Sequence, residues 1–214
     1  MNEYPAMIKL NGKIATVIGG GTIAERKVKS LLQAGANVIV ISPKITKQIH
    51  DWEQSKKLTW LNKKFEPTDV NDSFLVIAAT DQHDVNKNVR EAVNEFQLLN
   101  IVDDPVASNF IVPSSFRQGQ LTIAVSTSGA SPSLAKKIKT ELMEKYDETY
   151  AEYITFLQQC RSEVKQTVKD PQVRRQILKK LLDDEFIELT EAGNVIERHR
   201  RYLTLLKDKI KKGE

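Results

Sequence analysis

The stretch VIGGGTIAERKV, residues 17–28, sets Gly19, Gly21 and Ala24 at a G-x-G-x-x-A spacing directly after an apolar run. Glycines so spaced suit phosphate chemistry. Gly19 permits a tight turn, Gly21 lets a pyrophosphate approach backbone that a side chain would block, and Ala24 allows a helix to pack closely on a strand. The N–H groups that open such a helix lack internal partners, and its dipole adds positive potential, so an anion is favoured there. The expected ligand is a dinucleotide. Its ribose would ordinarily be held by an Asp or Glu after the second strand, yet NVIVISPK, 37–44, ends in Ser42, Pro43 and Lys44. A serine hydroxyl can still bond a ribose, and Lys44 would attract a 2′-phosphate, so these residues leave NAD and NADP both open. Lys44 also reads as a solvated loop charge, and the glycines as a turn in an α/β core without a ligand.

The elements that must position this loop are legible from periodicity. Apolar, β-branched runs at 14–18, 37–41, 58–61, 74–79 and 98–102 alternate with amphipathic stretches. Such runs separated by helices predict a parallel sheet covered on both faces, a Rossmann-like α/β domain. Ile23, Ala24, Val28, Leu31 and Leu32 share one helical face, with Gly35 as the stop. Further on, VPSSFRQGQ, 112–120, reads as a turn-rich connector and LTIAVS, 121–126, as a strand outside the main sheet. Ser131 and Pro132 suit the N-cap and first position of the next helix. From about residue 148 the pattern is helical, broken at Asp170-Pro171 and Ala192-Gly193. The expected division is a dinucleotide-binding domain over 1–112, a dimerisation and substrate segment over 113–145, and a helical domain over 146–214.

Composition narrows the partners. The 214 residues are 40% hydrophobic, enough for a real core. No apolar run approaches the roughly 20 residues of a bilayer span, and the start MNEYPAMIKLNGK lacks the charged-then-apolar pattern of an export signal. A cytoplasmic protein with no membrane partner is expected. The single cysteine, Cys160, excludes an internal disulfide, and His50, His83 and His199 are too scattered for metal-ligand spacing, so no metal is expected. Lys and Arg against Asp and Glu number 13 and 13 over 1–112, 5 and 2 over 113–145, and 14 and 13 over 146–214. The surplus in the middle suits an anionic small molecule. No recognition motif or aromatic-rich basic repeat accompanies it, so nucleic acid is not an expected partner.

Taken in order, VIGGGTIAERKV, VISP, AATD, NIVDDP, NFIVPSSF and LTIAVSTSGASPSLAKKIK resemble the precorrin-2 dehydrogenase family, which includes the dehydrogenase/ferrochelatase part of siroheme synthases. The similarity covers residues 7 to about 145, and 146–214 match only as a helical tail. The resemblance implies NAD-dependent oxidation of precorrin-2 to sirohydrochlorin, on the route to siroheme and in some organisms cobalamin. It also implies a homodimer whose interface is built after the Rossmann-like domain, and it makes the Ser-Pro turn a family trait. It assigns Gly19, Gly21, Thr22 and Ile23 to the phosphates and Ser42, Pro43 and Lys44 to the adenosine end. Thr80 and Asp81, at the end of the fourth run, would border the nicotinamide side. Asp103 matches the family's aspartate in this region, a carboxylate that would accept a proton or orient the macrocycle. The competing reading of Asp103-Asp104-Pro105 is an Asp-Pro turn, the stronger of the two for Asp104. For the carboxylate-bearing substrate, Arg117, Lys136 and the hydroxyls of Ser126, Thr127 and Ser128 are candidates, while Lys137 and Lys139 fit a solvated helix face better. Iron insertion, which some members add, is the runner-up activity. An NAD-sensing regulatory module or another small-molecule dehydrogenase would share the same glycine loop.

Overall fold

The computed structural model describes residues 3–102 and 104–213, with side chains described as far as 209. The chain divides into two units, 1–112 and 113–214. The first unit runs β1 (Ile14–Ile18), α1 (Thr22–Gln33), β2 (Asn37–Ile41), α2 (Lys47–Gln54), β3 (Thr59–Leu61), a 3₁₀ turn (Pro67–Val70), β4 (Leu75–Ala78), α3 (His83–Ala92) and β5 (Leu98–Ile101). All five strands are parallel, in the order β3-β2-β1-β4-β5. β1 therefore sits centrally, with Ala15 opposite both Val38 and Leu75.

Alternation along the strands sorts their side chains onto the two faces. Val38 and Val40 with Leu75 and Ile77 pack against Ala24, Val28 and Leu31 of α1 and Ile49 of α2. Val76 and Ala78 with Leu99 and Ile101 form the other cluster, with Val70 and with Val89 of α3. Burial on both faces is why these strands read as unbroken β-branched runs. One member of the expected α1 face departs from it. Ile23 is 46% exposed, because the packing face begins at Ala24 and the first turn lies at the strand ends.

The second unit opens with an antiparallel hairpin, β6 (Ser114–Gln118) and β7 (Leu121–Val125), with Phe116 opposite Ile123. This corrects two expectations: 112–120 is not a connector, and the strand at 121 is not alone. β6 escaped notice because Phe116 is its single large apolar residue, so its alternation carries little hydrophobic signal. Gly119, at φ +56°, takes the first position of the two-residue turn, a conformation side-chain-bearing residues rarely adopt. Ser114, Phe116, Leu121, Ile123 and Val125 are half-buried, and α4 (Pro132–Lys145) and α5 (Glu148–Thr167) pack on the hairpin.

Then come α6 (Pro171–Lys180), α7 (Asp184–Glu191) and α8 (Val195–Gly213). Ser131 caps α4 by accepting the Leu134 N–H at 3.2 Å, with Pro132 at the first position as the sequence predicts. Asp170 accepts the Gln172 N–H at 2.7 Å at the start of α6. Tyr153, Phe156, Cys160 and Val164 form one stripe of α5 and close a core with Ile177, Leu181, Phe186, Tyr202 and Leu206. Burial pushes the Cys160 thiol up to about 12, so it serves as a small apolar packing group. The break between α6 and α7 carries no Pro or Gly and was not foreseen; the Tyr153 hydroxyl donates to the Leu181 carbonyl there. Among the described residues no helix is long and apolar enough to cross a membrane.

Candidate functional site

In an open parallel sheet the strand order reverses on either side of the first strand, and the loops at the carboxyl ends diverge there to leave a crevice. In the first unit that crevice is a cleft of about 890 Å³ above β1, β2 and β4. Its walls hold Gly19, Gly21, Thr22, Ile23, Ser42, Pro43, Lys44, Thr80 and Asp81, every dinucleotide candidate named from sequence. Gly20, Ile45, Thr46, Lys64, Phe65, Gln82 and Val102 also line it, and sequence reasoning named none of them as site residues.

The three glycines differ in what confines them. A Cβ at Gly19, whose φ is +116°, would overlap the Ala79 carbonyl oxygen, and a Cβ at Gly20 would overlap the Lys44 carbonyl oxygen. Both neighbours are backbone and cannot swing away. At Gly21 a Cβ would meet nothing within 4 Å. Gly21 is the exposed N-cap of α1, with no side-chain cap on the helix. The first-turn N–H groups thus open on free space at the positive end of the dipole, which fits a pyrophosphate. Uncapped donors beside a glycine with room for a ligand are what make these residues fit a dinucleotide.

The second strand's turn contributes by holding its own shape. The Ser42 hydroxyl donates to the Lys44 carbonyl at 2.7 Å, and the Ser42 carbonyl accepts the Trp60 indole N–H at 2.9 Å. The loop is tied to the glycines by the Thr46 N–H donating to the Gly20 carbonyl at 2.9 Å. On the far wall the Thr80 hydroxyl accepts the Gln82 N–H at 3.1 Å, and the buried Asn86 amide donates to the Thr80 carbonyl at 3.1 Å. Asp81 stays exposed beside them.

Asp103 lies outside the described residues. Its neighbours are placed: Val102 continues β5 into the cleft wall, and the Asp104 carboxylate accepts the N–H groups of Val106 and Ala107 at 3.1 and 2.9 Å. Asp104 therefore shapes the turn. The substrate candidates belong to the second unit. Ser126 and Thr127 accept the N–H groups of Ser128 and Ser131, shaping the loop into α4; Arg117 on β6 donates to the Gly119 carbonyl at 2.7 Å, and Lys136 is exposed on α4. Lys137 pairs with Glu141 across one helical turn at 3.9 Å. Among the described residues no group of three or more His, Cys, Asp or Glu side chains could hold a metal ion.

Two substitutions separate the glycine roles. Gly21→Asp should fold normally yet lose dinucleotide binding, since its carboxylate would project into the cleft and repel a pyrophosphate. Gly20→Ala should lower the melting temperature by several degrees, because the Lys44 carbonyl must move. Calorimetric NAD titration and thermal unfolding read the two; unchanged NAD affinity in folded Gly21→Asp would remove the phosphate assignment.

Comparison with known proteins follows these boundaries. An NAD(P)-binding family profile matches residues 6–114, a sirohaem biosynthesis central-domain profile 118–144, and a SirC C-terminal domain profile 150–191. The chain is 34% identical over 200 residues to precorrin-2 dehydrogenase of Priestia megaterium, covering 93% of this chain and 99% of that protein. It is 36% identical to the siroheme synthase of Nitrosococcus oceani over 90% of this chain, but spans only 42% of that longer protein. A solved structure of SirC, precorrin-2 dehydrogenase, superposes with a TM-score of 0.81 at 32% identity, over 96% of this chain and 100% of that one. Sequence, domain order and fold agree along nearly the whole length: the chain belongs to the precorrin-2 dehydrogenase family.

Proposed function

We propose that the protein oxidises precorrin-2 to sirohydrochlorin with NAD, in the cytoplasm, as a step of siroheme formation. The observation that carries this reading is the dinucleotide cleft with an open Gly21, in a chain that matches a precorrin-2 dehydrogenase from end to end. The reaction removes a hydride and a proton from the reduced macrocycle. Bound NAD supplies the hydride acceptor. The chain's own work is to hold the dinucleotide at the α1 N-terminus and between the Ser42 and Thr80 loops, to seat the macrocycle, and to take the proton. Asp103 is the proposed proton acceptor, since it follows Val102 at the cleft wall while Asp104 is engaged in the turn. The Arg117 and Lys136 cations and the Ser126-Thr127-Ser128 hydroxyls are proposed to meet substrate carboxylates.

Anaerobic incubation with precorrin-2 and NAD, followed by sirohydrochlorin absorption, tests the activity; no product would leave the chain a sensor or another dehydrogenase. Asp103→Asn should lower turnover by about 10²- to 10⁴-fold with NAD affinity intact, the range for removing a general base. A rate within about threefold of the parent would leave the proton to water.

NAD should be used in preference to NADP. Lys44 and Lys64 both line the cleft, so this preference runs against simple charge attraction. Comparing kcat/KM for the two cofactors decides it, and a clear NADP advantage would make those lysines a 2′-phosphate site.

The family resemblance also supports a homodimer built on the second unit. β6 and β7 form a two-stranded sheet with no further neighbour among the described residues, so each outer edge offers unpaired backbone groups that a symmetric copy would cover. Sedimentation at micromolar concentration should give twice the chain mass; a monomer there would overturn this arrangement.

A further inference from the structure

The second unit contains a groove of about 840 Å³ between α5 and α6, made of residues that the dehydrogenase reading does not use. Its floor is apolar, with Ile154, Leu157, Leu178 and Leu181, and Leu182 stands at its lip 62% exposed. Five cations surround that floor: Arg161, Lys165, Arg174, Arg175 and Lys179. No Asp or Glu lines it. None of the five makes an ion pair among the described residues, although Lys180 pairs with Asp183, Arg198 with Glu152, and Arg200 and Arg201 with Glu197 in the same unit.

Solvated helix faces usually intersperse the two signs, as Lys87–Glu91 and Lys137–Glu141 do at i,i+4 in this chain. Here the i,i+4 pairs are like-charged, Arg161 with Lys165 and Arg175 with Lys179, which costs helix stability unless an anion offsets it. A bare phosphate would satisfy the cations and leave the apolar floor wet. A nucleic acid would find no aromatic ring in the groove on which to stack a base. The shape and charge suit a compact body with apolar faces and several carboxylates, in a volume within the range of small-molecule pockets.

We infer that the α5–α6 groove is a second binding site, for a tetrapyrrole polycarboxylate, where the macrocycle's apolar faces meet the leucine floor and its carboxylates meet the five cations. The choice of ligand rests on the proposed reaction, which already brings such a molecule to this protein. A site of this kind retains product after it leaves the site of oxidation.

The test is titration of the full chain with sirohydrochlorin under anaerobic conditions, followed by the macrocycle's own absorption, for the parent and for Arg161→Glu/Arg175→Glu. Both positions are exposed, so the double variant should fold and should keep precorrin-2 turnover within about twofold. The parent should bind two macrocycles per chain, and the variant should lose one of them or bind it at least about tenfold more weakly, as reversal of two exposed ion pairs predicts. Superimposable titrations would overturn the site. So would an unchanged titration with an altered sedimentation mass, which would make the groove an interface between copies. Binding is read directly, so a parent that binds at the groove but turns over no precorrin-2 would count against the reaction and leave the groove standing.

Discussion

The carbonyl oxygens of Ala79 and Lys44 occupy the space that side chains at positions 19 and 20 would need. That steric constraint organises the cofactor cleft. Ala79 comes from the end of β4, which parallel pairing sets beside β1, and Lys44 comes from the turn after β2, paired to β1 on its other side. The glycine loop is wedged between the two neighbours of its own strand. Wedging it fixes where α1 begins, and so where the first-turn N–H groups aim. Of the three, only Gly21 is left with open space over it, and that opening is the proposed phosphate position. Donors fixed in advance by packing need not be ordered when the ligand arrives, so less of the binding energy goes into ordering them.

What was legible in the sequence follows from burial. β1, β2 and β4 are buried on both faces, so their residues are mostly apolar and often β-branched, and the glycine loop with its flanks stood out against them. β6 alternates between half-buried and exposed positions and fills its inner face with Ser114, Phe116 and Gln118, so its sequence resembles a loop. Lys64 and Phe65 follow β3, a strand of only three residues, and no pattern in their own neighbourhood marks them. The rule that would have found them is topological: in a parallel sheet every loop at a carboxyl end faces the same crevice. It needed the strand order, which motif spacing does not contain.

The charge count was incomplete in a related way. Residues 146–214 carry 14 basic and 13 acidic side chains, and a segment so balanced reads as neutral. Folding separates the two. Asp184, Glu185, Glu188 and Glu191 go to α7, while five cations from α5 and α6 gather on one groove. Net charge fixes the far field of a segment and says little about the local potential at a particular cleft. The middle segment shows its surplus in the count, as with Lys136 and Arg117; the cluster of five cations without an acid lies in the stretch whose count is nearly balanced.

The missing acid after β2 has a cause within the turn itself. An ionised Asp or Glu only accepts hydrogen bonds, whereas the Ser42 hydroxyl donates one to the Lys44 carbonyl. A carboxylate at position 42 could still accept the Lys44 N–H, as the Ser42 Oγ does at 3.4 Å, but it has no proton for the Lys44 carbonyl and would lose that bond. The bond matters because the Lys44 carbonyl stands against Gly20 as one of the two walls that wedge the glycine loop. With serine at position 42, the cleft wall on this side presents the hydroxyl-bearing residues Ser42 and Thr46 and their backbone. Lys44 and Lys64 line the cleft on the side of this turn and Asp81 lines it beside Thr80, so its walls carry both signs of charge.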